Sequence, residues 1–223
     1  MTKIRVWDLP TRLFHWSLVL LLVGAVSTAH VGGAAMVWHF RIGYALSTLL
    51  LFRLAWGLVG SRYARFAAFL AGPAAIAAYL RQPRQLGRAA HGHSPLGGLS
   101  VLAMLLVLLA QVLTGMLGND DIMNQGPLSQ FVSKPVSDGL SWYHSEIGIR
   151  LLYGLCGLHV LAIAYHYLRH RNDLLSPMLS GDQPGHADSV AASDSGRLRL
   201  LALLLLLLCA GAVATAITWL NGL

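Results

Sequence analysis

Charge is scarce in this chain: nine Asp and Glu and sixteen Lys and Arg make up 11% of its 223 residues. Soluble domains carry about a quarter of their residues charged, and here the hydrophobic share is 56% with a mean hydropathy of +0.60, which excludes an ordinary soluble fold. Acidic residues are absent from the depth of every long apolar run. Hard or borderline cations would therefore find no oxygen ligands there, which weighs against a metal-ion transporter. Cysteine is nearly absent too. Cys156 and Cys209 lie in apolar runs and form neither C-x-x-C nor C-x-x-C-H, which weighs against a zinc ribbon and covalently attached haem c.

What is present is apolar length. Five runs are legible, at about Phe14 to Ala29, Phe40 to Val59, Leu96 to Leu117, Ile147 to Tyr167 and Leu198 to Leu220, each of the size that crosses a bilayer. The opening imitates a signal peptide, but we expect it to be a retained first span. The net charge of +7 resides in the short segments between runs, as positive-inside topology requires, so nucleic acid is not a partner. Lys3, Arg5 and Arg12, then Arg62, Arg65, Arg81, Arg84 and Arg88, then Arg169, Arg171, Arg197 and Arg199 mark cytoplasmic segments. A multi-pass membrane protein follows, with a cytoplasmic N-terminus and the C-terminus on the opposite side.

Phe66 to Leu80 alternates Ala with larger apolar residues and has Pro73 where a helix can begin, so a helix lying on the membrane surface is expected. Ser176 to Ser195 turns to Ser, Gly, Asp and Pro and reads as a flexible linker rather than a folded element. The expected division is 1–175 for a four-helix membrane domain, 176–197 for the linker and 198–223 for an additional span.

The chemistry concentrates in Trp142 to His170, a spanning stretch that carries His144, His159, His166 and His170. Hydrocarbon offers such side chains no polar partner, so they imply function. Fifteen residues of helix rotate by about 60° and climb roughly 22 Å, so His144 and His159 share a face at two depths. Gly148, Gly154 and Gly157 leave flat space beside them for a macrocycle. Two haems with two axial imidazoles each need four histidines from facing helices. His15 stands at the depth of His159, which suggests an inner pair, and His39 at the depth of His144, which suggests an outer pair. His30, fifteen residues after His15, competes with His39, although Gly32 and Gly33 place it at a fraying helix end. His166 competes with His159 in the same way.

Arg53, fourteen residues after His39, is turned by about 40° and roughly 21 Å deeper. With no acidic residue deep in any span, it can meet a haem propionate or snorkel to the interface. His91 and His93 lie in a basic loop, either solvated or close to a propionate. Met104 and Met116 are read as packing, and Trp7, Trp16, Trp38, Trp142 and Tyr143 as interfacial belts.

RVWDLPTRLFHW, WHFRIGYALSTLLLFRLAWGLVGSRYARF, GHSPLGGLSVLAMLLVLLAQVLTGMLGNDDI, GPLSQFVSK and the stretch from LHVLAIAYHY to SPMLSG together resemble the bacterial cytochrome b561 family. That family includes the cytochrome b subunit of nickel-iron hydrogenases. The resemblance covers about residues 4–181 and implies two b haems held by the first, second and fourth spans, at positions matching His15, His39, His144 and His159. It also implies electron transfer between a periplasmic redox partner and membrane quinone. Such proteins usually end soon after the fourth span, whereas this chain continues.

The expected fold is an all-α integral membrane protein, a four-helix transmembrane haem bundle with a fifth C-terminal transmembrane helix. The expected function is that of a di-haem b-type cytochrome linking a periplasmic partner, a hydrogenase-like enzyme or a c-type cytochrome, to the quinone pool, with bound quinone as a further cofactor. A stand-alone quinone-linked oxidoreductase is the alternative within this class. A non-redox membrane anchor or a metal-ion transporter are the alternatives outside it.

Overall fold

The computed structural model describes residues 2–81, 92–120, 124–185, 190–220 and 222. Helix α1 covers Leu9–Val31 and α2 Met36–Val59, with a 3-10 turn at Gly33–Ala35 between them. Two short helices follow, α3 at Phe66–Phe69 and α4 at Pro73–Arg81, and then α5 at Pro95–Leu117. Next come α6 at Lys134–Trp142, a π-helical turn at Tyr143–Gly148 and α7 at Ile149–His170. The chain closes with α8 at Leu175–Ser180 and α9 at Gly196–Leu220. Among the described residues, five helical stretches are long and apolar enough to span a membrane, the fourth of them running from Lys134 to His170. The protein is thus an all-α integral membrane protein.

The chain forms two compact units, between which the long helices are divided. One comprises Met1–His15, Arg53–Ala103 and Leu155–Leu205, the other Trp16–Phe52, Met104–Gly154 and Leu206–Leu223. In lipid, apolar burial between helices gains little, so cohesion falls to close approach and to polar bonds. In the second unit Gly24 sits where a Cβ would stand 3.1 Å from Ile42. In the first, a Cβ on Gly57 would overlap the Phe66 ring at 2.1 Å. Leu20, Leu168 and Leu208 are exposed, as suits contact with acyl chains.

The first unit holds an unexpected feature. A strand at Thr2–Arg5 (β1) pairs antiparallel with one at Asp182–Gly185 (β2), with Ile4 opposite Gln183 and Arg5 opposite Asp182. Gly181, at φ 93°, turns the chain from α8 into β2, and its carbonyl accepts the Val6 and Trp7 N–H groups. Ile4, Val6 and Trp7 form a buried cluster with Tyr63 and Met178 against it. Arg5 binds Asp182 and Asp194, each at 2.6 Å, while Asp194 also takes the Leu9 N–H and Arg199. The Ala192 N–H reaches the Arg5 carbonyl, and the Tyr63 hydroxyl that of Val190. The described part of the segment expected as a flexible linker, 176–197, therefore contains a short strand and bonds to residues of the N-terminal segment. Its polar composition serves pairing with the N-terminal strand, a long-range partnership that local composition cannot reveal.

Candidate functional site

The first unit brings His15, from α1, to His159, from α7, with ring centres 6.4 Å apart and planes inclined at 51°. Asp8 anchors the start of α1. Its carboxylate accepts the Thr11 N–H at 2.6 Å and the Trp56 indole N–H at 3.3 Å, with Asp8 and Trp56 both fully buried. An aspartate capping the first turn satisfies donors that the helix itself cannot.

Arg53 is 4% exposed, packed over the faces of Phe66 and Phe69 at 4.9 and 5.8 Å from their centres. Asp8, just ahead of α1 rather than deep in a span, is close enough to act on it electrostatically. Asp8 nonetheless spends its hydrogen bonds on Thr11 and Trp56, and Arg53 Nη1 is buried without a hydrogen-bond partner. His93 is wedged edge-on against Trp7 at 4.8 Å and tilted on Phe69 at 4.6 Å, so it is not solvated. Burial foremost, then the Arg53 charge and His159, push its imidazole down to about 3, and its Nδ1 also lacks a partner. His91 lies outside the described residues.

The second unit brings His39, from α2, to His144, in the π-helical turn, with ring centres 6.0 Å apart at 90°. His39 Nδ1 lies 2.9 Å from the Ala25 carbonyl and His144 Nδ1 2.8 Å from that of Gln111. A carbonyl only accepts, so each Nδ1 carries the proton and each Nε2 keeps its lone pair. His30 instead turns its Nδ1 to the Val26 carbonyl of its own helix at 2.9 Å and is exposed. His166 meets Tyr165 and His170 rather than His15.

These distances suit a metal between the rings. An imidazole–metal bond is about 2.0–2.1 Å and the nitrogen lies roughly 1 Å from the ring centre, so two axial imidazoles place their centres about 6 Å apart. Among the described residues no three His, Cys, Asp or Glu come together. A haem iron needs only two from the protein, since the macrocycle supplies the rest. The two unpartnered nitrogens of Arg53 and His93 are of the kind a propionate would engage. Gly154 and Gly157 open onto free space as expected, whereas Gly148 does not: a Cβ there would lie 2.0 Å from Gln111 Oε1.

A family model described as prokaryotic cytochrome b561 matches residues 6–181. The chain belongs to that family. It is a membrane b-type cytochrome of electron transfer. Neither the curated proteins nor the solved structures give a match. In this cytochrome, sequence reasoning overlooked Asp8 and Gln111. Gln111 had a signal available, being a carboxamide in an otherwise apolar span, which hydrocarbon penalises unless it is engaged.

Proposed function

We propose that this cytochrome holds two haems b, one between His15 and His159 and one between His39 and His144, and carries electrons between a periplasmic redox partner and the quinone pool of the bacterial inner membrane. The observation that carries the reading is the pair of ring separations, 6.4 and 6.0 Å, each matching two imidazoles on one iron. Haem supplies one-electron chemistry when bound. The protein's own residues do the rest. His39 and His144 keep the Nε2 lone pair for a metal because their Nδ1 protons are held by backbone carbonyls, which fixes the tautomer. Arg53, with His93 beside it, binds a propionate of the haem at His15 and His159. The apolar walls exclude water and keep the sites electrostatically stiff.

The segment from Asn119 to Tyr143 leads directly into His144 and is the docking surface we assign to the periplasmic partner, a hydrogenase-like enzyme or a c-type cytochrome with a basic patch. Asp138 there forms an ion pair with Lys134, Asp121 lies outside the described residues, and Asp120, which accepts the Asn124 N–H at 2.8 Å, is the acid to test first. Purified protein should show a dithionite-reducible b-type spectrum with two haems per chain, and reduction by a quinol. A colourless protein, or one haem per chain, would sink the reading. Slower exchange with the periplasmic partner but not with quinol in Asp120→Lys would support the assigned surface, and the reverse would overturn it.

A further inference from the structure

Helix α5 contributes no histidine to either pair, yet one turn of it, Gln111 to Gly115, is built around His144. The Gln111 backbone carbonyl accepts the His144 Nδ1–H at 2.8 Å. The Gln111 side chain returns the bond, Nε2 donating to the His144 carbonyl at 2.8 Å. Because that partner can only accept, the orientation of the carboxamide is fixed and Oε1 points to Gly148. A Cβ at Gly148 would stand 2.0 Å from this oxygen, so only glycine leaves the amide room. Oε1 itself is buried without an N–H or O–H partner. A Cβ at Gly115 would stand 2.8 Å from His144 Cε1, so the imidazole lies against bare backbone. Thr114 donates to the Ala110 and Gln111 carbonyls at 2.7 and 3.1 Å, steadying the acceptor that His144 uses.

The same contacts explain why the chain passes through a π-helical turn at Tyr143–Gly148. Such turns arise where a side chain engages the helical ladder, and they gather at functional sites. A carboxamide in a membrane span is costly unless satisfied, and here half of it is spent on one carbonyl.

We propose that Gln111 is a positioning residue: its backbone and side chain form a two-point latch that sets the rotation of the His144 imidazole and, through it, the ligand field and potential of one haem. This rests on the reading of His144 as an axial ligand. The partner of a ligating imidazole's second nitrogen fixes ring orientation and basicity, and both tune the iron.

The test uses the full-length haem-loaded protein, with Gln111→Leu and Gly148→Ala made singly and together, and with His144→Ala to identify which signal belongs to this site. Low-temperature EPR and a redox titration are recorded on each. The expected result is a shift in the largest g value and in the midpoint of the haem lost in His144→Ala, with the other haem unchanged. The double variant should shift no further than the larger single one, because both release one latch. Unchanged g values and midpoint, equal shifts at both haems, or additive shifts in the double variant would each overturn the latch. If Gln111→Leu fails to accumulate, Gly148→Ala decides alone, since it keeps the amide and displaces it. If wild-type protein holds haem but His144→Ala removes no signal, the ligand reading fails and the latch with it.

Discussion

The imidazoles of His39 and His144 stand perpendicular, 6.0 Å apart between ring centres, while those of His15 and His159 are inclined at only 51°. If these rings ligate one haem as proposed, their crossed planes would leave the iron d orbitals nearly degenerate and spread the g values of the low-spin ferric form. The wild-type EPR spectrum should therefore contain one strongly anisotropic signal and one less so. Replacing His39 or His144 by Ala should remove the first, replacing His15 or His159 the second, each leaving about half the haem as measured by pyridine haemochrome. His30→Ala should keep both. Loss of haem in His30→Ala with full retention in His39→Ala would make the proposed pairing wrong.

Arg53 supplies the second prediction. A buried cation beside a haem favours the reduced form, so Arg53→Leu should lower the midpoint of the haem at His15 and His159. At a separation of several ångströms and an effective dielectric of about 20, one charge is worth on the order of 1–2 kcal/mol, or tens of millivolts. Phe66 and Phe69 stack on Arg53, so its removal also loosens their packing, and some loss of that haem should accompany the shift. An unchanged potential with full haem content would return Arg53 to the role of a snorkelling cation.

The apolar runs marked the spans, because twenty apolar residues have one use in a bilayer, although the fourth helical stretch begins at Lys134 rather than near Ile147, and Pro73 marks a helix start as a residue without an N–H should. Helical spacing put His144 and His159 on one face only for a regular α-helix, whereas His144 lies in the π-helical turn at Tyr143–Gly148, which the spacing did not reveal. The spacing left His30 level with His39, and what separates them is the bond from His30 to Val26, a local choice of rotamer that periodicity does not encode. Gly148 was legible as a place lacking a side chain but not as to what fills the space, since Gln111 reaches it from another helix. The same limit hid the partnership of Arg5 with Asp182 and Asp194, nearly the whole chain apart.

That partnership carries the third prediction. The family match ends at residue 181 and β2 begins at Asp182, so the strand pair fastens the continuing chain, and α9 beyond it, to the N-terminus. Burial alone would raise the Asp194 carboxyl, but hydrogen bonds from Arg199 and the Leu9 N–H, with Arg5 alongside, hold it below the ordinary carboxylate range. A carboxyl whose folded value is depressed contributes stability that is fully present above its unfolded value, about 3.9, and is lost as pH falls through the lower folded value. The clasp should thus hold at pH 7 and weaken below about pH 4. Asp194→Asn should lower the melting temperature at pH 7 and shrink the difference between pH 7 and pH 3. Arg5→Ala should cost about 1 kcal/mol, a modest figure because the Arg5 side chain is 30% exposed and solvent screens its pairs. Thermal melts of the detergent-solubilised protein, with trypsin cleavage after Arg197 or Arg199 as a local probe, measure both. Cleavage there should quicken in either variant while the haem spectrum stays intact. Equal cleavage rates in wild-type and variant proteins at pH 7 would mean that the strand pair does not secure the ninth helix.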